Sequence, residues 1–222
     1  ALFIRSVVYY HMAIGFGNIG LQLTPYISGE ELTQVNQDTI LGQLVTDLTA
    51  AEDALPVSYS GSEVGKATKG AAATLLAKVL LTLGEDSAAE TVLRRIIANY
   101  GYELLPDYAD LWGVANENNA ESIFEVQYIS GGIGQGSLFT NDFSPSTDLQ
   151  TGSGFGRNRP TVSMLEAYED GDLRYDISMG DSYVDLEGET IEARYIKKYR
   201  SDLAIENDSD TNFVVFRYAD VL

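Results

Sequence analysis

Residues 67–105, ATKGAAATLLAKVLLTLGEDSAAETVLRRIIANYGYELL, constrain the fold of this 222-residue chain most, because small and large apolar residues recur there at helical offsets around a short polar turn. Ala73, Leu76, Ala77 and Leu80 share one face of a first helix, and Ala89, Leu93 and Ile96 share one face of a second. Alanine at 77 and 89 lets two antiparallel backbones approach closely while the larger residues fill the space on either side. The spacing therefore predicts a helical hairpin over 67–99, packed through Ala77 and Ala89. One such hairpin cannot bury its own apolar face, so neighbours are expected.

The offsets are those of a tetratricopeptide-type repeat. An earlier, enlarged hairpin is predicted from Leu2–Ile14, which is apolar almost all round, and from Thr39–Leu55, where Ile40, Leu44, Val45, Leu48, Ala51 and Leu55 keep helical spacing. The stretch between them, 15–38, is too long for a repeat turn and holds Gly15, Gly17, Gly20, Pro25 and Gly29, so it reads as a structured excursion of the kind where function tends to sit. Tyr9, Tyr10 and Phe16 are expected to fill this first hairpin, and Tyr26 to lie at the surface. His11 is the only histidine and is expected to be a satisfied core or interface residue. With one histidine and no cysteine, these residues supply no two-histidine or thiolate metal site and no disulfide, and neither metal nor cofactor is expected.

The order of the segments resembles the SusD/RagB family of outer-membrane nutrient-binding lipoproteins. The resemblance rests on LFIRSVVYYHMAIGFGNIGLQL at 2–23, LPVSYSGSEVGKATKGAAATLLAKVLLTLG at 55–84, YGYELLPDYADLW at 100–112, NNAESIFEVQY at 118–128, RPTVSMLEAYEDGDLRYD at 159–176 and NFVVFRYADVL at 212–222. It implies a non-catalytic surface protein that captures an oligosaccharide or other nutrient and delivers it to a SusC-like TonB-dependent outer-membrane transporter. The same resemblance implies that the helical repeats face the transporter, that the irregular half carries the ligand surface, and that Trp112 packs inside a recurrent motif. Residue 1 already stands in an apolar helix and RYADVL at the other end reads as the first turn of another, so a central fragment with apolar surface left uncovered at its ends is expected. The signal peptide and lipid anchor of the family would then lie outside it.

The charge balance, 33 acids against 14 bases for a net charge of −19, excludes a phosphate-tracking nucleic-acid binder and electrostatic docking on anionic lipid heads. A neutral glycan, or a partner with a basic face, is compatible with it. The acidity is explained most simply as a means of keeping an exposed protein soluble.

From Glu121 the chain changes character. SIFEVQY at 122–128 predicts a strand, as do ARYIKKY at 193–199 and the 213–216 segment, with SDLAIENDSD as an exposed turn region between the last two. Residues 130–159 form a loop of about thirty residues where connections usually run to about 4–6. Its GGIGQG at 131–136 fits neither a P-loop nor a dinucleotide fingerprint and reads as a flexible loop entrance. Phe139, Asn141, Asp142, Phe143, Phe155, Arg157 and Asn158 combine flat apolar faces with groups that bond hydroxyls, which is the chemistry of sugar binding. The competing reading, in which the phenylalanines pin the loop to the body, stands beside it. Asp170, Asp172 and Asp176 approach calcium-loop spacing but lack its glycine position and closing glutamate, so a helix-terminating turn explains them with less.

The expected fold is mostly α: tetratricopeptide-like hairpins over 1–112, then an irregular, loop-rich ligand-binding portion with short strands over 113–222 leading into a truncated helix, within one domain. A tetratricopeptide-type protein-interaction scaffold and a glycan-cleaving enzyme remain as rival readings. The alanine-rich hairpin offers little of the polar and aromatic lining a peptide groove needs, and an abundance of carboxylates does not by itself make a catalytic pair.

Overall fold

The computed structural model describes residues 1–25, 33–145, 154–185, 187–201, 203 and 205–222. They form two compact units, one of residues 1–102 with 216–222 and one of residues 103–215.

In the first unit, α1 (Leu2–Phe16), α2 (Gln37–Ala54), α3 (Lys69–Thr82) and α4 (Asp86–Asn99) pack as successive neighbours. The hairpin read from the small-residue spacing is α3 and α4, with Ala77 and Ala89 both buried. Thr68 caps α3 by accepting from the Ala71 N–H at 3.2 Å, and Asn36 caps α2 by accepting from Thr39 at 2.8 Å, each satisfying a donor that the helix leaves open. The core is Ile40, Leu41, Leu44, Leu48, Leu75, Val79 and Ile96, every one of them an apolar residue at helical spacing. Two acids are drawn into it and both are paired: Asp47 with Arg5 at 2.7 Å, and Glu52 with Arg95 at 2.8 Å.

The excursion between α1 and α2 closes through a short antiparallel pair, β1 (Ile19–Gly20) with β2 (Gln34–Val35), and is fastened by the Gln22 N–H donating to the Tyr9 hydroxyl at 2.7 Å. Tyr26 lies outside the described residues. Tyr10 is buried as expected, but Phe16 is 78% exposed at the last turn of α1, where the helix ends. His11 likewise points away from the core that Phe3, Tyr10 and Ala13 enter, one helical step aside, and is exposed.

The second unit holds β3 (Ser122–Val126), the short helices α5 (Phe139–Phe143), α6 (Val162–Glu166) and α7 (Arg174–Ser178), and the antiparallel hairpin of β4 (Met179–Val184) with β5 (Thr190–Ile196). β6 (Phe213–Arg217) pairs with β3. Residues 103–112, expected with the helices, belong here because the Glu103 N–H bonds to the Ala120 carbonyl and the Leu105 N–H to the buried Glu121 carboxylate. The RYADVL end, which counts with the first unit, is a single 3₁₀ turn, Tyr218–Asp220, in which Asp220 caps the Arg217 N–H at 2.9 Å. Among the described residues no helix is long and apolar enough to cross a membrane.

Candidate functional site

The long loop is neither free nor flexible at its entrance. The N–H groups of Gly131 and Gly132 both donate to one oxygen of Asp208 at 2.7 Å, and Ser130 donates to Asp210 through its N–H at 2.6 Å and its hydroxyl at 3.0 Å. A carboxylate gripping successive backbone donors is a strong, charge-assisted clamp. Asp208 is accordingly buried, and the acidic stretch expected to be an exposed turn is in part the anchor of the glycine loop.

Downstream of the clamp, Ser137 pairs with Ser209 by a backbone bridge and the chain enters α5. Phe139 and Phe143 stack at 5.5 Å, and Phe139 also meets Tyr199 at 5.5 Å, Phe213 at 5.0 Å and Tyr128 at 6.2 Å. Tyr199 is buried, and that burial pushes its hydroxyl up to about 12. The two phenylalanines are half-buried and use their faces on neighbouring rings, the pinning arrangement. Asn141, expected among the sugar contacts, is fully buried: its side chain accepts the Asn207 N–H at 2.9 Å and its carbonyl accepts that of Phe155 at 2.8 Å. It is a scaffold residue, because a polar side chain taken out of water must be spent on internal bonds.

The remaining residues come together at the surface. The strap 154–157 lies along the C-terminal end of α5, with Phe155, Gly156 and Arg157 N–H groups donating to the carbonyls of Asn141, Ser144 and Asp142 at 2.7–2.8 Å. These bonds satisfy carbonyls that the helix end leaves open. Gly154 enters the strap so close to the Pro145 and Ser144 carbonyls that any Cβ would collide with them. Held this way, Phe155 is 42% exposed, the Arg157 guanidinium sits 5.0 Å from its ring centre, and the same guanidinium donates to Asp142 at 2.8 Å. Asn158 follows, exposed, in the left-handed conformation that asparagine tolerates. The result is an exposed ring, a guanidinium and a carboxylate held together by backbone bonds, the combination suited to a polyhydroxylated ligand.

Concavities lie among the described residues of each unit. A groove of about 760 Å³ in the first unit is lined by Val45, Leu76, Leu80 and Val92 with Arg95 and Tyr100. There Glu52 takes both guanidinium arms of Arg95 at 2.8 Å and the Tyr100 hydroxyl at 2.5 Å, and burial followed by the Glu52 contact lifts that tyrosine to about 12. In the second unit, a cleft of about 450 Å³ surrounds the edge-to-face pair Tyr168 and Tyr175, 5.4 Å apart. The aspartates singled out by spacing are here: Asp172 is held by Arg174 through paired hydrogen bonds that keep its carboxyl down at about 2, while Asp170 and Asp176 line the rim. Among the described residues no three His, Cys, Asp or Glu side chains converge on a metal position. The third cleft, of about 440 Å³, lies beside Trp112 and the Lys197–Arg200 run; nothing in the spacing of the sequence pointed to it.

No protein-family model matches the chain. A curated relative, SusD-like protein P25 of Formosa agariphila, is 30% identical over 165 residues, 72% of this chain and 30% of the relative. Among solved structures, the surface glycan-binding protein A of Bacteroides fluxus superposes with a TM-score of 0.85 at 26% identity, covering 99% of this chain and 52% of that one. A laminarin binding SusD-like protein superposes with a TM-score of 0.86 at 24% identity, covering 99% and 56%. The chain thus spans about a third of the curated relative's length and about half of each solved structure's.

Proposed function

The chain belongs to the SusD/RagB family, and from that membership we propose that it captures a glycan at the bacterial cell surface without cleaving it and serves its delivery to a SusC-like TonB-dependent outer-membrane transporter. The observation that carries the reading is the Phe155 strap. An exposed ring stands beside a guanidinium and a carboxylate whose positions are set by three backbone hydrogen bonds and an ion pair, so little side-chain freedom is lost when a sugar docks. The ring offers an apolar face to sugar C–H groups, while Arg157, Asp142 and Asn158 supply donors and acceptors for hydroxyls. The surface glycan-binding protein among the neighbours supports the same reading.

Titration calorimetry against a panel of neutral oligosaccharides, laminarin fragments included, tests it, with a parallel assay for new reducing ends. Saturable binding with no new ends is expected. New reducing ends would establish the glycan-cleaving reading, and an absence of binding across the panel would remove the glycan function. Delivery is tested separately, by co-purifying the chain from outer membranes and identifying a TonB-dependent transporter in the eluate.

A further inference from the structure

The cleft beside Trp112 points to a ligand of a particular charge. The chain carries 33 acids against 14 bases, yet Lys197, Lys198 and Arg200 place three cations within four positions, and all three line this one cleft of about 440 Å³. That volume suits a sugar unit or two.

The walls are fixed by aromatic contacts. Trp112 meets Tyr108 edge-to-face at 5.9 Å and Tyr199 at 5.8 Å, so its indole does not swing. The Lys198 ammonium is held 4.7 Å from the Trp112 ring centre and 5.3 Å from that of Tyr199, and the Arg200 guanidinium donates to the Tyr195 hydroxyl at 3.1 Å while lying over the Tyr195 ring. A cation–π contact orients a cation without removing its charge. Lys197 is tied by its backbone to Ser178, and among the described residues no carboxylate pairs with its ammonium. Asp176, which also lines the cleft, is an acceptor for a sugar hydroxyl.

We propose that this cleft binds an acidic sugar unit, with its carboxylate or sulfate ester on Lys197, Lys198 and Arg200, its ring beside Trp112 and a hydroxyl on Asp176. The net charge of −19 does not prevent it. At physiological ionic strength charges beyond about 8 Å are largely screened, so a ligand seated in the cleft responds to the side chains that line it, Lys197 first among them, more than to the charge of the whole chain. The proposal deepens the glycan-binding reading and rests on it: it adds a second contact region on the same unit and gives the ligand a charge.

The test uses matched pairs of probes, an oligogalacturonate with its methyl ester and a sulfated oligosaccharide with its desulfated form, titrated at about 20 mM and about 300 mM salt. At low salt at least one charged member binds about tenfold or more tighter than its neutral form, and the gap closes at high salt. The pair that shows it tells carboxylate from sulfate. The double variant Lys197→Gln with Lys198→Gln loses that preference, the charged and neutral members of each pair then binding alike, while it keeps a cooperative thermal transition. If the double variant does not fold, Lys197→Gln alone and the salt dependence of the unaltered chain decide the same question. Neutral glycans bound without preference for charge overturn this inference and leave the glycan reading standing. Charge preference that survives the variants places the anion elsewhere and overturns it too, and failure of every probe, neutral or charged, removes both.

Discussion

Residues 1–102 are held by apolar contact between neighbouring helices, whereas residues 103–215 join to a cluster of aromatic rings a set of hydrogen bonds between segments 77, 80 and 84 residues apart. In the helical unit the largest fully buried side chains are Ile40, Leu41, Leu44, Leu48, Leu75 and Ile96. In the other they include Glu121, Asn141 and Thr140. Asn212 illustrates the second manner of building: its N–H donates to Glu117, its side-chain oxygen accepts the Tyr128 N–H, and its amide group donates to Glu125 and Gln127. Apolar packing is tolerant and makes a scaffold. Directed polar bonds fix loop positions one by one, which is what the proposed role of Phe155 and Arg157 in holding a glycan requires.

If the contrast holds, core truncation hurts the helices most. Leu48→Ala should cost about 2–5 kcal/mol, read as a lowered denaturant midpoint, and a loss under about 1 kcal/mol would show that the helices do not rely on this core. Ala77→Phe should overpack the α3–α4 contact by about 1–3 kcal/mol, and an unchanged melting midpoint would refute the register of that hairpin. In the second unit Asp208→Ala leaves the Gly131 and Gly132 N–H groups without their acceptor, at a cost of about 1–3 kcal/mol. Hydrogen exchange should quicken at those two amides while the helices keep their protection. Equal loosening of both units would erase the distinction.

The smallest stability effect is tied to pH. Burial holds the Glu117 carboxyl up at about 7, with repulsion from Glu125 and Asp210 adding to it against the favourable Asn212 N–H. A raised acid binds its proton more tightly in the folded state, so between the ordinary value of 4.5 and about 7 stability falls as pH rises, and above that the loss is complete. Glu117→Gln keeps an acceptor for Asn212 without the charge. It should therefore stabilise the protein at about pH 8 by about 1 kcal/mol, after allowance for solvent screening, and change little at about pH 4. A variant destabilised at the higher pH would mean that the charge itself is needed.

The same contrast explains what the sequence disclosed. The α3–α4 hairpin was legible because helical packing writes itself into offsets of three and four residues, with alanine where backbones meet. The clamp of Asp208 on Gly131 was not, since a hydrogen bond between residues 77 apart leaves no periodic trace and an acidic run looks like any solvated turn. β4 went unread for a local reason: MGDSYV carries glycine and aspartate, both poor strand formers, and Gly180 is there because the Tyr195 ring of β5 lies where a Cβ would stand. At the candidate site, residue type pointed to Phe155, Arg157 and Asp142, but their pairing depends on how the strap folds back onto α5. Nothing in the residue type of Asn141 distinguished a buried scaffold from a sugar contact.

The most direct test is to titrate Phe155→Ala with the glycan the unaltered chain binds best, alongside its thermal transition. Loss of an exposed ring that faces the ligand should weaken binding about tenfold or more while the melting temperature stays within about 1 °C, because the strap is held by backbone bonds that the substitution keeps. Unaltered affinity together with a lowered melting temperature would contradict it, and would make Phe155 one more pin holding the loop in place.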